Sequence, residues 1–137
     1  MTLKQLSIFI ENKGGTLVTV LDLLSREGIQ IIASSVADTQ DYGIYRVLCS
    51  APERAGEVLL AAGIHLQLTE VTAVTIDDVP GCAAKAVGAL SDAGISILYL
   101  YSFLWQGRGV LVFRADAPEK AVEVLEKAGY IDSAPLF

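Results

Sequence analysis

Few residues of this 137-residue chain are of types that carry chemistry. The one histidine, His65, has no Cys, Asp or Glu partner at metal-ligand spacing and reads as a surface or capping residue. Asp77-Asp78 and the pair Asp38/Asp41 place carboxylates in turns. Paired carboxylates can do acid–base work, but acidic residues are also commonplace in turns. Cys49 and Cys82 stand alone, outside any Cys-x-x-Cys spacing. Cys82 falls where a helix is expected to open, a place that lowers a thiol pKa. Small-residue packing accounts for it equally well. No nucleophile-elbow, dinucleotide or P-loop glycine pattern is present. These residue types speak against an enzyme, and no cofactor or metal is expected.

Binding has better support. The stretch Glu11-Asn12-Lys13-Gly14-Gly15-Thr16 joins the alternating strand Leu6-Ser7-Ile8-Phe9-Ile10 to a run carrying Leu17, Val20, Leu21 and Leu24 at helical spacing. A glycine turn that opens a helix offers unpaired N–H groups and the positive end of the helix dipole, which suits a carboxylate or phosphate. The plainer reading is that small residues let the strand turn sharply into the helix.

The same junction recurs as Asp77-Asp78-Val79-Pro80-Gly81-Cys82. A shift of 66 aligns residues 4–71 with 70–137 without a gap and gives roughly 18 identities. Matches include Gly15/Gly81, Gly28/Gly94, Ile29/Ile95, Ile31/Ile97 and Gly43/Gly109. The clearest block is Ala51-Pro52-Glu53 against Ala117-Pro118-Glu119. Two copies, residues 1–71 and 72–137, are expected. Shared geometry explains Gly15 and Gly81 but not Asn12 against Asp78, or Thr16 against Cys82.

Each copy reads βαββαβ. In the first, Gly28 stops the helix and Gln30 to Ala37 forms the second strand. A turn at 38–43 leads to a strand from Ile44 to Cys49. Pro52 opens a second helix with the stripe Ala55, Val58, Leu59 and Ala62, and Ile64 to Val71 forms the fourth strand. In the second copy, strands are expected at 72–77, from Ile95 to about Trp105, at Val110–Ala115 and, short or irregular, at Tyr130–Phe137. Helices are expected at 82–93 and from Pro118. This order is the split-βαβ, ferredoxin-like pattern of the α+β class: an antiparallel sheet with both helices on one face. No linker separates the copies at Thr69-Glu70-Val71-Thr72-Ala73.

Composition narrows the class. The chain is 53% hydrophobic and 19% charged, with a mean hydropathy of +0.50. A unit of this size has too little interior to hide so much apolar surface, so packing on another unit or chain is expected. The second strand of the second copy, Ile95 to Trp105, is apolar on both faces and lies at a sheet edge, a setting either for a homodimer or larger homo-oligomer or for burial against the chain's own first half. A net charge of −6 and no Lys/Arg cluster speak against nucleic acid. No apolar run is long enough to span a membrane. The N-terminus lacks signal-peptide features, so a cytoplasmic protein with two reduced thiols is expected.

These motifs resemble the ACT domain, whose usual opening is Asn-x-Pro-Gly-x-Leu, then a helix, then Gly-Ile-Asn-Ile. The first copy has Asn12-Lys13-Gly14-Gly15-Thr16-Leu17 and later Gly28-Ile29-Gln30-Ile31, with Gly14 where the family has proline. The second keeps Pro80-Gly81 but has Asp78 for the asparagine and Ala83 for the leucine. The stretch from Ala37 to Arg46 is further similar to stand-alone bacterial proteins made of two ACT units.

The resemblance implies a non-catalytic regulatory module that binds a free amino acid at an interface between ACT units, coupled to their association. It implies ligand contacts at Asn12, Lys13, Gly14, Gly15, Thr16 and Leu17, with Ile31 and Ala33 or Ser34 as walls. In the second copy it implies Asp78, Gly81, Cys82 and Ala83. Asp78 would repel a ligand carboxylate unless it receives the ammonium group, so the first copy is the preferred site. Its apolar walls favour a branched or aromatic amino acid. Any regulated enzyme would be a separate chain. The alternative is a ligand-free oligomerisation module that docks on such an enzyme through the apolar strand.

Overall fold

In the computed structural model, residues 2–11, 15–38 and 42–130 are described. The first elements are β1 (Thr2–Glu11), α1 (Thr16–Arg26), β2 (Ile31–Asp38), β3 (Tyr42–Cys49) and α2 (Pro52–Ala61). They are followed by β4 (Leu66–Ile76), α3 (Cys82–Asp92), β5 (Ile97–Trp105), β6 (Arg108–Ala115) and α4 (Pro118–Lys127). The expected last strand, Tyr130–Phe137, lies outside the described residues from position 131 onward, as do the turn residues Asn12 to Gly14 and Thr39 to Asp41.

Two compact units emerge, Lys4–Thr69 and Met1–Leu3 with Glu70–Phe137. In the first, β3 lies between β1 and β2, antiparallel to both. The fourth strand joins the other side of β1, where Phe9 N–H donates to the His65 carbonyl at 2.9 Å and the Ser7 and Thr69 hydroxyls meet at 3.1 Å. In the second, β6 lies between β4 and β5, again antiparallel to both. The two strands expected at Ile64–Val71 and 72–77 are one strand, β4. Its middle, Thr69 to Ala73, holds no glycine, proline or turn residue to break an extended run.

Alternation builds each core. Leu6, Ile8 and Ile10 of β1 face the same way as Tyr45 and Val47 of β3 and pack on Val20 and Leu24 of α1 and Ala55 and Leu59 of α2. The second core repeats this with Val74, Ile76, Leu111 and Phe113 against Ala86, Leu90, Ala121 and Leu125. Both helices of each unit thus cover one sheet face. Leu17, expected in the helical stripe, sits in the first turn of α1 and is 36% exposed.

The Gly-Ile matches of the repeat close the helices. Gly28 and Gly94 follow α1 and α3 with positive φ. The next residues, Ile29 and Ile95, donate N–H to the Leu24 and Leu90 carbonyls at 3.0 Å and bury their side chains. This is the Schellman closure with its hydrophobic contact.

Gly43 and Gly109 are shared for a different reason. A Cβ there would lie 3.3 Å from Ile10 Cγ1 and 3.1 Å from Ile76 Cγ1, respectively. The absent side chain lets the core isoleucine of the neighbouring strand lie across the glycine, at the level of the strand-to-helix corner.

Candidate ligand site

The two corners share one backbone. Gly15 and Gly81 each precede the first helical residue with φ 92° and ψ −18°, and among the described residues neither helix has a side-chain cap. A left-handed residue at this position costs an L-amino acid about 1–2 kcal/mol, which explains why both copies keep glycine. Neither glycine has an atom within 4 Å of an added Cβ, so conformation alone selects it. The Gly15 and Gly81 carbonyls accept the Thr19 and Lys85 N–H groups at 3.0 Å. Helix N–H groups without a side-chain cap leave donors for an anion or water.

In the second unit this corner opens onto a cavity of about 420 Å³. Asp77 and Cys82 line it from the turn, with Lys85 one helical turn into α3, Arg108 at the start of β6 and Tyr130 beyond α4. Arg108 Nη2 donates to Asp77 Oδ1 at 3.3 Å. Both side chains of this ion pair are more than half exposed, so its contribution to stability is small. Lys85 forms no side-chain hydrogen bond or ion pair among the described residues.

The sequence-derived residues divide accordingly. Cys82 lines the cavity and is half-buried. Asp78, Gly81 and Ala83 are exposed on the turn and the first helical turn. In the first unit Gly15 and Leu17 are exposed and Thr16 is half-buried, while Asn12, Lys13 and Gly14 are outside the described residues.

The three wall residues stand apart from their own corner. Glu11 pairs with Tyr42 at the corner end of β3, whereas Ile31 pairs with Cys49 at the far end. Ala33 is level with Leu48 and Ser34 with Val47. Val47 pairs in turn with Leu6, five residues or roughly 17 Å from Glu11 along β1. The Ser34 hydroxyl accepts a hydrogen bond from Tyr45 Oη at 3.0 Å. Ile31 lines a second, shallower cavity of about 320 Å³ with Leu21, Leu24 and Ser25, at the C-terminal end of α1.

Lys85 and Arg108 are the functional candidates that residue types alone did not single out. The signal was in the repeat: a shift of 66 puts them where the first copy has Thr19 and Tyr42. Strand register then shows why they converge. Arg108 follows a tight turn at Gln106-Gly107, both with positive φ. The pairing of Gly109 with Ile76 returns β6 beside Asp77.

The thiols differ in setting. Burial pushes the Cys49 thiol pKa up, with nearby Glu53 adding to the rise against a hydrogen bond from the Ala51 backbone. This keeps Cys49 protonated and unreactive. Among the described residues no three His, Cys, Asp or Glu side chains gather into a metal-binding group. Among the described residues no helix is long and apolar enough to cross a membrane.

A family model described as an ACT domain pair matches residues 1–136. The fold is similar to that of protein BT0572 from Bacteroides thetaiotaomicron, at 37% identity and a TM-score of 0.89, covering 94% of this chain and 90% of that one. It is also similar to the ligand-free regulatory subunit of aspartate kinase from Thermus thermophilus, at 19% identity and a TM-score of 0.65 over 91% of each chain. The regulatory subunit of aspartate kinase from Thermus flavus has 17% identity and a TM-score of 0.58, covering 93% of this chain and 92% of that one. No curated protein matches the chain. Two ferredoxin-like units in tandem, a duplicated glycine corner and a family match along nearly the full length agree: the chain belongs to the ACT domain pair family.

Proposed function

We propose that this protein is a regulatory module that binds a free amino acid at the strand-to-helix corners and carries no catalytic activity of its own. The observation that carries this reading is the corner itself, built twice with the same left-handed glycine at the helix start and no side-chain cap among the described residues. Membership in the ACT domain pair family supports it, as do the regulatory aspartate kinase subunits among the proteins of like fold. The division into ACT units at 1–71 and 72–137 belongs to the same reading.

Ile31, Ala33 and Ser34 are too far along the sheet to wall the corner of their own unit. In this reading a second strand reaches a corner from another ACT unit in an oligomer, and ligand occupancy is thereby coupled to association. The regulated enzyme is a separate chain. The test is thermal unfolding against each of the twenty amino acids, with oligomeric state followed by sedimentation. A saturating ligand raises stability as RT ln(1 + [L]/Kd), about 2.7 kcal/mol at a hundredfold excess over Kd. An unchanged Tm with all twenty at millimolar concentration removes the reading.

A second reading, a ligand-free docking module, has its own observation. Leu98, Leu100 and Leu104 of β5 are 61%, 41% and 63% exposed, and β5 pairs only with β6 among the described residues. Such an apolar edge favours association. Assembly that is lost in Leu100→Glu and indifferent to every amino acid would favour this second reading.

A further inference from the structure

We propose that the corner of the second unit selects an anionic ligand, an acidic amino acid, and that Lys85 and Arg108 set this preference. The proposal rests on the reading of the corners as amino-acid sites and adds the charge class of one of them.

The two corners are slots of one backbone geometry with different linings. Among the described residues, the cavity of about 420 Å³ at the second corner is lined by two cations, Lys85 and Arg108, and one carboxylate, Asp77. Two positive charges and one negative leave a lining charge of +1. The repeat-equivalent positions in the first unit are Thr19, Tyr42 and Glu11, which carry no cation and one carboxylate. At these three positions the second copy thus carries +1 and the first −1. Thr19 also directs its hydroxyl back to the Gly15 carbonyl at 2.9 Å, whereas the Lys85 ammonium has no partner among the described residues.

A zwitterionic ligand would leave the second lining at +1. A ligand of net charge −1, such as glutamate or aspartate, brings it to neutrality. Asp77 supplies the counter-charge for an ammonium group. Arg108 offers five donors in a planar fork, and its contact with Asp77 is a single, exposed ion pair at 3.3 Å. It therefore keeps donors for a carboxylate. Lys85, one turn into α3, supplies a compact charge for a second carboxylate. Asp78 is exposed on the turn and is not among the described lining residues. The cavity volume lies in the range that holds small-molecule ligands.

The experiment titrates the full chain calorimetrically with L-glutamate and L-aspartate, their neutral isosteres L-glutamine and L-asparagine, and succinate as a dicarboxylate without an ammonium group. The same series is run on Lys85→Gln, Arg108→Gln and the double variant. Circular dichroism and unfolding without ligand confirm that each variant folds, as expected for exposed side chains. An acidic amino acid should bind at least tenfold more tightly than its amide, and the ratio should fall towards one in the double variant. Rising salt should weaken glutamate binding in the wild type. Equal affinity for acid and amide, or a ratio untouched by the double variant, overturns the charge assignment and leaves amino-acid binding standing. Binding of succinate alone supports an anion site but overturns the amino-acid reading. No binding of any probe overturns both.

Discussion

Replacing the corner glycines by alanine isolates the backbone requirement from every other effect. Gly81 has φ 92°, and an added Cβ meets nothing within 4 Å. Gly81→Ala therefore introduces no clash, only the strain of a left-handed L-residue, about 1–2 kcal/mol. Restricting the unfolded chain returns roughly 0.4–1 kcal/mol. The net expectation is a loss of about 1 kcal/mol, some fivefold in the folding equilibrium. Gly15→Ala should lose the same amount, because its φ and ψ are identical. Gly88 is the internal control: it lies within α3, its φ is not positive, and a Cβ there also meets open space. Gly88→Ala should gain about 0.5–1 kcal/mol from helix propensity. Urea unfolding at constant m-value reads all three. A Gly81→Ala protein as stable as wild type, or a large difference between the two corner variants, would refute a shared left-handed corner.

Three further outcomes follow from packing and charge. Leu24 and Leu90 are repeat equivalents at 0% and 1% exposure, so Leu→Ala at either should cost about 2–5 kcal/mol in denaturant unfolding. In native protein a thiol reagent should modify Cys82 well before Cys49, whose burial holds it protonated, and ligand at the second corner should protect Cys82. Lys4 Nζ lies 2.7 Å from Glu53 Oε1 and holds the Glu53 pKa below the usual carboxylate range. The stability this pair adds is therefore complete above that range and lost as pH falls through the lowered pKa. The gap between wild type and Lys4→Met in acid unfolding should close accordingly, and because both groups are exposed it should be small and salt-sensitive.

Much of the fold was legible because the repeat marks demanding geometry. Gly15/Gly81 are left-handed corners, Gly28/Gly94 close helices, and Gly43/Gly109 make room for isoleucines. Each is a position where a side chain is strained or crowded, so identity survived in both copies. The merging of two strands into β4 was less visible, since adjoining extended segments differ from one strand only by the absence of a turn. The site was harder still. Strand pairing is non-local, and neither the return of Arg108 to Asp77 nor the distance of Ile31 and Ser34 from Gly15 can be read from spacing along the chain.

The central claim, that an ACT pair binds a free amino acid through these corners, is tested most directly by equilibrium dialysis of the folded wild-type chain against labelled amino acids. Saturable binding of one amino acid or a small group is expected, with a stoichiometry of at most two per chain. That binding should weaken in Gly81→Asp or Gly15→Asp protein shown to be folded. Retention of no amino acid by folded wild-type protein, or full retention by both folded corner variants together, would contradict it.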